Sequence, residues 1–125
     1  MITLKYFKRK EFACPCCGKS KMKTEFLIAL DKARMCSNTS YKLNSGWRCQ
    51  KHNDSLKHSK PNSSHIDGIA VDIACNGSRE RALIIGGLLE AGFSRIGIGK
   101  TFIHADLADR LGGENTKDEA VFWLY

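Results

Sequence analysis

Three residues in this chain have the types and spacing to hold a metal ion. His65 and Asp72 stand seven residues apart in SSHIDGIAVDIA (Ser63 to Ala74), a stretch that otherwise reads as a buried strand. His104 lies in a second strand-like run, Phe102-Ile103-His104-Ala105-Asp106. Residues an even number apart on a strand share a face, so Ala70 and Asp72 point together. His65 is an odd number away and must reach that face from the preceding turn, where Gly68 could supply the bend. If the two strands are neighbours, His104 comes within ligand reach of Asp72. Two imidazoles and one carboxylate, with a fourth position left to water, make a catalytic rather than a structural zinc site. The plainer alternative is that His65 caps a turn, Asp72 is a surface strand residue and His104 packs in the core.

The elements that must position these residues follow from pattern. Phe26, Leu27, Leu30 and Ala33 recur at helical spacing and predict a helix from about Met22 to Cys36. Residues 37–40 read as a loop and 41–45 as a short strand. Cys49 to Ser64 is polar and aperiodic, with Pro61 and Asn62, and reads as a long loop. A strand is expected over 69–74. A second helix follows from Ser78, as N-cap, to Ala91, with Gly92 as its stop. Gly86-Gly87 would let that helix pack closely on a sheet. Residues 93–98 and 101–107 form two strands joined at Gly99-Lys100, 109–119 is loop, and 120–125 (AVFWLY) is a terminal strand. The order predicts an α+β domain spanning 1–125, with a small, mostly antiparallel sheet and flanking helices.

The bulk numbers set bounds. A chain of 125 residues with 42% hydrophobic content supports one core, and its net charge of +7 favours an acidic partner. Nucleic acid, an anionic membrane surface and anionic cell-wall polymer all carry that charge. Residues 1–13 contain Lys5, Lys8, Arg9, Lys10 and Glu11 without a long apolar run, so no secretory signal is expected there. No run of eighteen apolar residues occurs, so no membrane span is expected.

The spacing Ser63-x-His65-x-x-Gly68-x-Ala70-x-Asp72 resembles the SxHxxGxAxD motif of the zinc D-Ala-D-Ala peptidases. That family includes D-Ala-D-Ala carboxypeptidases and dipeptidases and phage L-alanyl-D-glutamate endolysins. All five defined positions match in register. Upstream, Ser45-Gly46-Trp47-Arg48-Cys49-x-x-His52-Asn53 looks like the family's SGxRxxxHN segment. Downstream, residues 102–106 look like the FxHxD strand of its smaller phage-type branch, as do Glu11-Phe12-Ala13-Cys14 and Phe122-Trp123-x-Tyr125 at the two ends. The resemblance implies His65, Asp72 and His104 as Zn2+ ligands and Arg48 as the group that binds the scissile carbonyl or its oxyanion, a role suited to a fixed guanidinium. It implies Ser63 as a contact to substrate or ligand, although a loop-capping role fits that serine equally. Better-known members carry an acidic base three residues before the last histidine; here that position is Thr101. Asp106, on the same strand face as His104, is taken as the base. It could instead orient a ligand, and Asp67 is a further candidate.

The expected function is therefore a zinc peptidase cleaving peptidoglycan stem peptides. A monomer is expected, held in the cytoplasm until released to the cell wall, with neither nucleic acid nor membrane as partner. Two alternatives stand beside it. One is a non-catalytic cell-wall-binding protein of the same fold. The other is a basic zinc-binding nucleic-acid binder, disfavoured because the basic runs lack interleaved aromatics. Six cysteines occur, and Cys14, Cys16 and Cys17 include one CxxC pair. With Cys36 or Cys49 they could form a second, structural zinc site, although no second CxxC exists.

Overall fold

Strand β2 (Ala70–Ala74) organises the molecule because its two faces have opposite chemistry. In the computed structural model, which describes residues 2–57 and 59–125, β2 sits inside a five-stranded sheet. The other strands are β1 (Leu43–Ser45), β3 (Arg95–Ile98), β4 (Phe102–Asp106) and β5 (Val121–Leu124), in the order β1-β2-β4-β3-β5. One face carries Val71, Ile73, Ile96, Ile103 and Ala105, all buried in the main core. The alternation of the pleat turns Asp72 and His104 to the other face.

Helices α1 (Thr24–Ser37) and α3 (Ser78–Glu90) supply the rest of that core through Phe26, Leu27, Leu30, Ala33, Ile84 and Leu88. α1 ends because Asn38 adopts the left-handed conformation, at φ 53°. α3 is entered from Gly77 without a side-chain cap, so Ser78 is its first residue and not the expected N-cap. The glycine pair in α3 serves a helix rather than the sheet. A Cβ at Gly87 would lie 2.6 Å from the Ala33 carbonyl and collide with Ser37 Oγ, so the bare backbone lets α3 approach α1. Gly86 faces open space.

Two stretches read as loops are corrected. The stretch read as one loop over 49–64 contains helix α2 (Gln50–Ser55). It lacks an apolar stripe because Asn53 is its buried residue, and polar bonds hold it: Cys49 Sγ accepts from the His52 N–H, and Asn53 Nδ2 donates to Lys60 O at 2.7 Å. The loop over 109–119 likewise opens with helix α4 (Ala108–Leu111) and a 3-10 turn, Gly113–Asn115. The sheet is mostly antiparallel, as expected: three pairings are antiparallel, and β5 pairs in parallel with β3. The segment through α4 crosses over one end of β3: Arg95 pairs with Asp106 at the end of β4 and with Val121 at the start of β5, so the last strand runs in the direction of β3.

Adding one methyl at each glycine of the pair tests the α1–α3 contact. Gly87→Ala is expected to destabilise the fold by about 1–3 kcal/mol, as overpacking does. Gly86→Ala should leave stability unchanged or raise it by up to about 1 kcal/mol, from helix propensity alone. Urea unfolding of the two variants beside wild type reads both effects.

Candidate metal centre

The register of β2 on β4 places Asp72 directly opposite His104. His104 is in turn opposite Gly97 on β3, and Gly97 is opposite Trp123 on β5. These four residues form one row across the site face. Gly97 is required there: a Cβ would lie 2.6 Å from Trp123 Nε1, so its absence lets the indole lie beside the His104 ring, with centroids 5.5 Å apart.

His65 arrives from the turn before β2. Gly68 takes φ +73° at the end of that turn, where a Cβ would strike the Lys21 backbone, so the bend needs glycine. The turn is tied down by a bond from the Arg48 N–H to the His65 carbonyl and one from the His65 N–H to Ser63 Oγ, at 3.2 Å. Ser63 thus caps the turn and also lines the cleft.

The donor atoms converge. One ligand atom from each of His65, Asp72 and His104 lies within 4.8 Å of the others. Asp72 Oδ1 is 2.9 Å from His104 Nδ1, and Asp72 Oδ2 is 3.4 Å from His65 Nε2. The outer nitrogens are already occupied. His65 Nδ1 is 2.8 Å from Gly46 O, and a carbonyl only accepts, so Nδ1 carries the proton and Nε2 keeps its lone pair. His104 Nε2 is 2.8 Å from Asp106 Oδ2 in the same way, which leaves Nδ1 for the centre. Two imidazole nitrogens aimed inward, one carboxylate between them and fixed outer partners fit a zinc ion.

The electrostatics agree. Burial holds the His65 pKa below the usual histidine value, so His65 stays neutral despite Asp72. Burial also opposes charge on His104, but hydrogen bonds to Asp106 and Asp72 outweigh it and raise its pKa. Burial would raise the Asp72 carboxyl as well; the bonds from His104 and His65 overcome that and hold it well below the carboxylate range. The centre is therefore an anion between two imidazoles, and a cation competes there with the proton on His104.

Arg48 follows β1 and reaches the same carboxylate. Its Nη2 lies 3.2 Å from Asp72 Oδ2, while its Nε donates to Ser45 Oγ at 3.0 Å. Asp106 is differently engaged. Its Oδ1 accepts from Arg95 Nε at 2.8 Å and from the Ala108 N–H at 3.0 Å, and its Oδ2 meets His104. Asp67 accepts from Asn115 Nδ2, and Thr101 is exposed in the turn between β3 and β4; neither lines the cleft.

The cleft over the centre has a volume of about 750 Å³. Phe102, Trp123 and Tyr125 give it an aromatic wall, and Lys60 and Lys117 stand at its edge. Sequence reasoning assigned no role to Arg95, the two lysines or the aromatic wall. Arg95 carried the same signal as Asp72, a charge inside an apolar strand, and it pairs directly across from Asp106.

The family model for peptidase M15 matches residues 5–106, from the N-terminal arm through the end of β4. The chain belongs to the peptidase M15 family. It is a zinc metallopeptidase, and its substrate is a peptide. No curated protein matches it. Among the described residues, no helix is long and apolar enough to cross a membrane. The aromatic wall from β5 lies beyond the matched span of this M15 peptidase, so its contribution rests on the geometry above.

The engagement of Asp106 separates its two possible roles. If it orients His104, Asp106→Asn weakens zinc binding by about 10–100-fold, and saturating zinc restores turnover. A base would instead lose turnover at full zinc occupancy. Zinc titration by calorimetry, paired with peptidase assays at saturating metal, distinguishes the two.

Proposed function

We propose that this M15 peptidase hydrolyses peptide bonds in the stem peptides of bacterial peptidoglycan, as a D-Ala-D-Ala carboxypeptidase or an endolysin-type endopeptidase. The observation that carries the proposal is the juxtaposition of the His65–Asp72–His104 centre with a cationic, aromatic-walled cleft. Stem peptides are short, rich in small D-residues and carry free carboxylates. Lys60 and Lys117 suit those carboxylates, and the wall of Phe102, Trp123 and Tyr125 suits the alanine methyl groups. The net charge of +7 favours approach to an anionic wall.

Zinc, when bound, lowers the pKa of a water and polarises the scissile carbonyl. The chain's own residues do the rest. Arg48 is braced by Ser45 and lies against Asp72, so its guanidinium is fixed before substrate arrives. A charge held in that way is suited to an oxyanion, which develops only as the carbonyl is attacked. The aromatic wall keeps water from one side of the reacting bond. Asp106 acts here as a positioning residue: with both oxygens committed, it holds the His104 ring and fixes its tautomer. The same commitment of Asp106, together with Thr101 at the usual position of the base, favours a second reading, a wall-binding protein that cleaves slowly or not at all.

Release of new amino groups from purified peptidoglycan separates the readings. Wild type is expected to release them, with the product termini identifying the bond. His65→Ala should lose one equivalent of zinc and all cleavage. Arg48→Ala should keep its zinc and lose about 100–1,000-fold in kcat, the usual effect of removing an oxyanion donor. Binding to peptidoglycan without amino-group release from any wall type would establish the second reading.

A further inference from the structure

A second group of metal-binding side chains lies apart from the catalytic centre. Cys14, Cys17 and Cys49 each present a sulfur within 4.8 Å of the other two, and Cys14 Sγ is 3.7 Å from Cys49 Sγ. All six cysteines of the chain are free thiols.

The chain is folded to bring these sulfurs together. Cys14-Pro15-Cys16-Cys17-Gly18 forms a closed turn in which the Cys14 N–H donates to Lys19 O and the Gly18 N–H to Cys14 O, both at 2.8 Å. Gly18 takes φ +73° to complete it. Cys49 enters from the segment after β1, and its sulfur accepts from the His52 N–H. Cys14 is buried, and its sulfur lies beside that of Cys49. Cys16 lies between Cys14 and Cys17 in the same turn and is exposed.

Sulfurs gathered this way repel one another once ionised, unless a cation lies between them. A Cys14–Cys49 disulfide would use two sulfurs and leave Cys17 without a partner; a tetrahedral zinc ion uses them all. We propose that Cys14, Cys17 and Cys49, completed by Cys16, bind a structural zinc ion separate from the His65–Asp72–His104 centre. Binding releases the thiol protons to solvent and leaves a closed thiolate site with no position for substrate.

The place of this site gives it a purpose. Cys49 follows Arg48 directly, and the preceding residues already lean on the N-terminal arm. The Trp47 N–H donates to Phe12 O at 2.9 Å, and a Cβ at Gly46 would lie 2.6 Å from Phe12 Cα. The ion would lock residues 14–17 to residue 49 and so fix both Arg48 and the Gly46 carbonyl that orients His65. A metal staple of this kind adds stability to a small domain.

The test uses the full chain purified under reducing conditions. Wild type should hold two zinc equivalents and His65→Ala one. Cobalt exchanged into His65→Ala should give the intense thiolate-to-cobalt charge-transfer absorption, a readout that needs no cysteine substitution. Cys17→Ser should keep the catalytic zinc and lose the other equivalent. His65→Ala with no zinc would overturn the proposal, as would cobalt bound without the charge-transfer band, or a Cys14–Cys49 disulfide found by mapping under native redox conditions. Because His65→Ala removes a catalytic ligand, these outcomes stand apart from whether the protein cleaves peptidoglycan.

Discussion

The charge on Asp72 is the constraint from which the site is built. A carboxylate on a central strand, with its side chain only 16% exposed, is costly unless cationic or donor groups surround it. Here His104 approaches from β4, His65 from the turn before β2 and Arg48 from the segment after β1. Each approach demands a feature of the fold. The β2–β4 register sets His104, the positive φ of Gly68 sets His65, and the packing of Gly46 on Phe12 brings Arg48 alongside. The two faces of the sheet divide the work: one packs with α1 and α3 in the main core, and the other carries the polar row.

A layer of outer contacts makes the ligands competent. The Gly46 carbonyl and the Asp106 carboxylate select the tautomers of His65 and His104, and Arg95 in turn holds Asp106. These contacts come from two strands, β3 and β4, and the segment after β1. Such sites are sensitive to backbone shifts of a few tenths of an ångström, and Gly97 and Gly46 leave no room for a side chain.

Much of this was legible in the sequence, for identifiable reasons. The two helices carried apolar residues at helical spacing, and β2 carried its one charge inside an apolar run, so both element type and the candidate metal group that the structure brings together could be read from pattern. Helix α2 could not, because it is held by a sulfur cap and by Asn53 instead of an apolar stripe. The direction of β5 was equally hidden: periodicity fixes which face a residue occupies, not whether the strand runs parallel to its neighbour. Spacing placed Asp106 beside His104, but its partner Arg95 lies 11 residues away and is matched to it only by the β3–β4 register. The selection of Cys49 over Cys36 as neighbour to the CxxC turn is likewise tertiary, since no local pattern separates the two.

On the proposed function, a metal held by His65, Asp72 and His104 is required to cleave peptidoglycan peptides. The most direct test is to strip the protein with a chelator and follow amino-group release from purified peptidoglycan as zinc is added back, in wild type and in Asp72→Asn. Wild type should be silent without zinc and recover as zinc is restored, and Asp72→Asn should stay silent throughout. Cleavage by the stripped wild type, or equal recovery in Asp72→Asn, would contradict the proposed function.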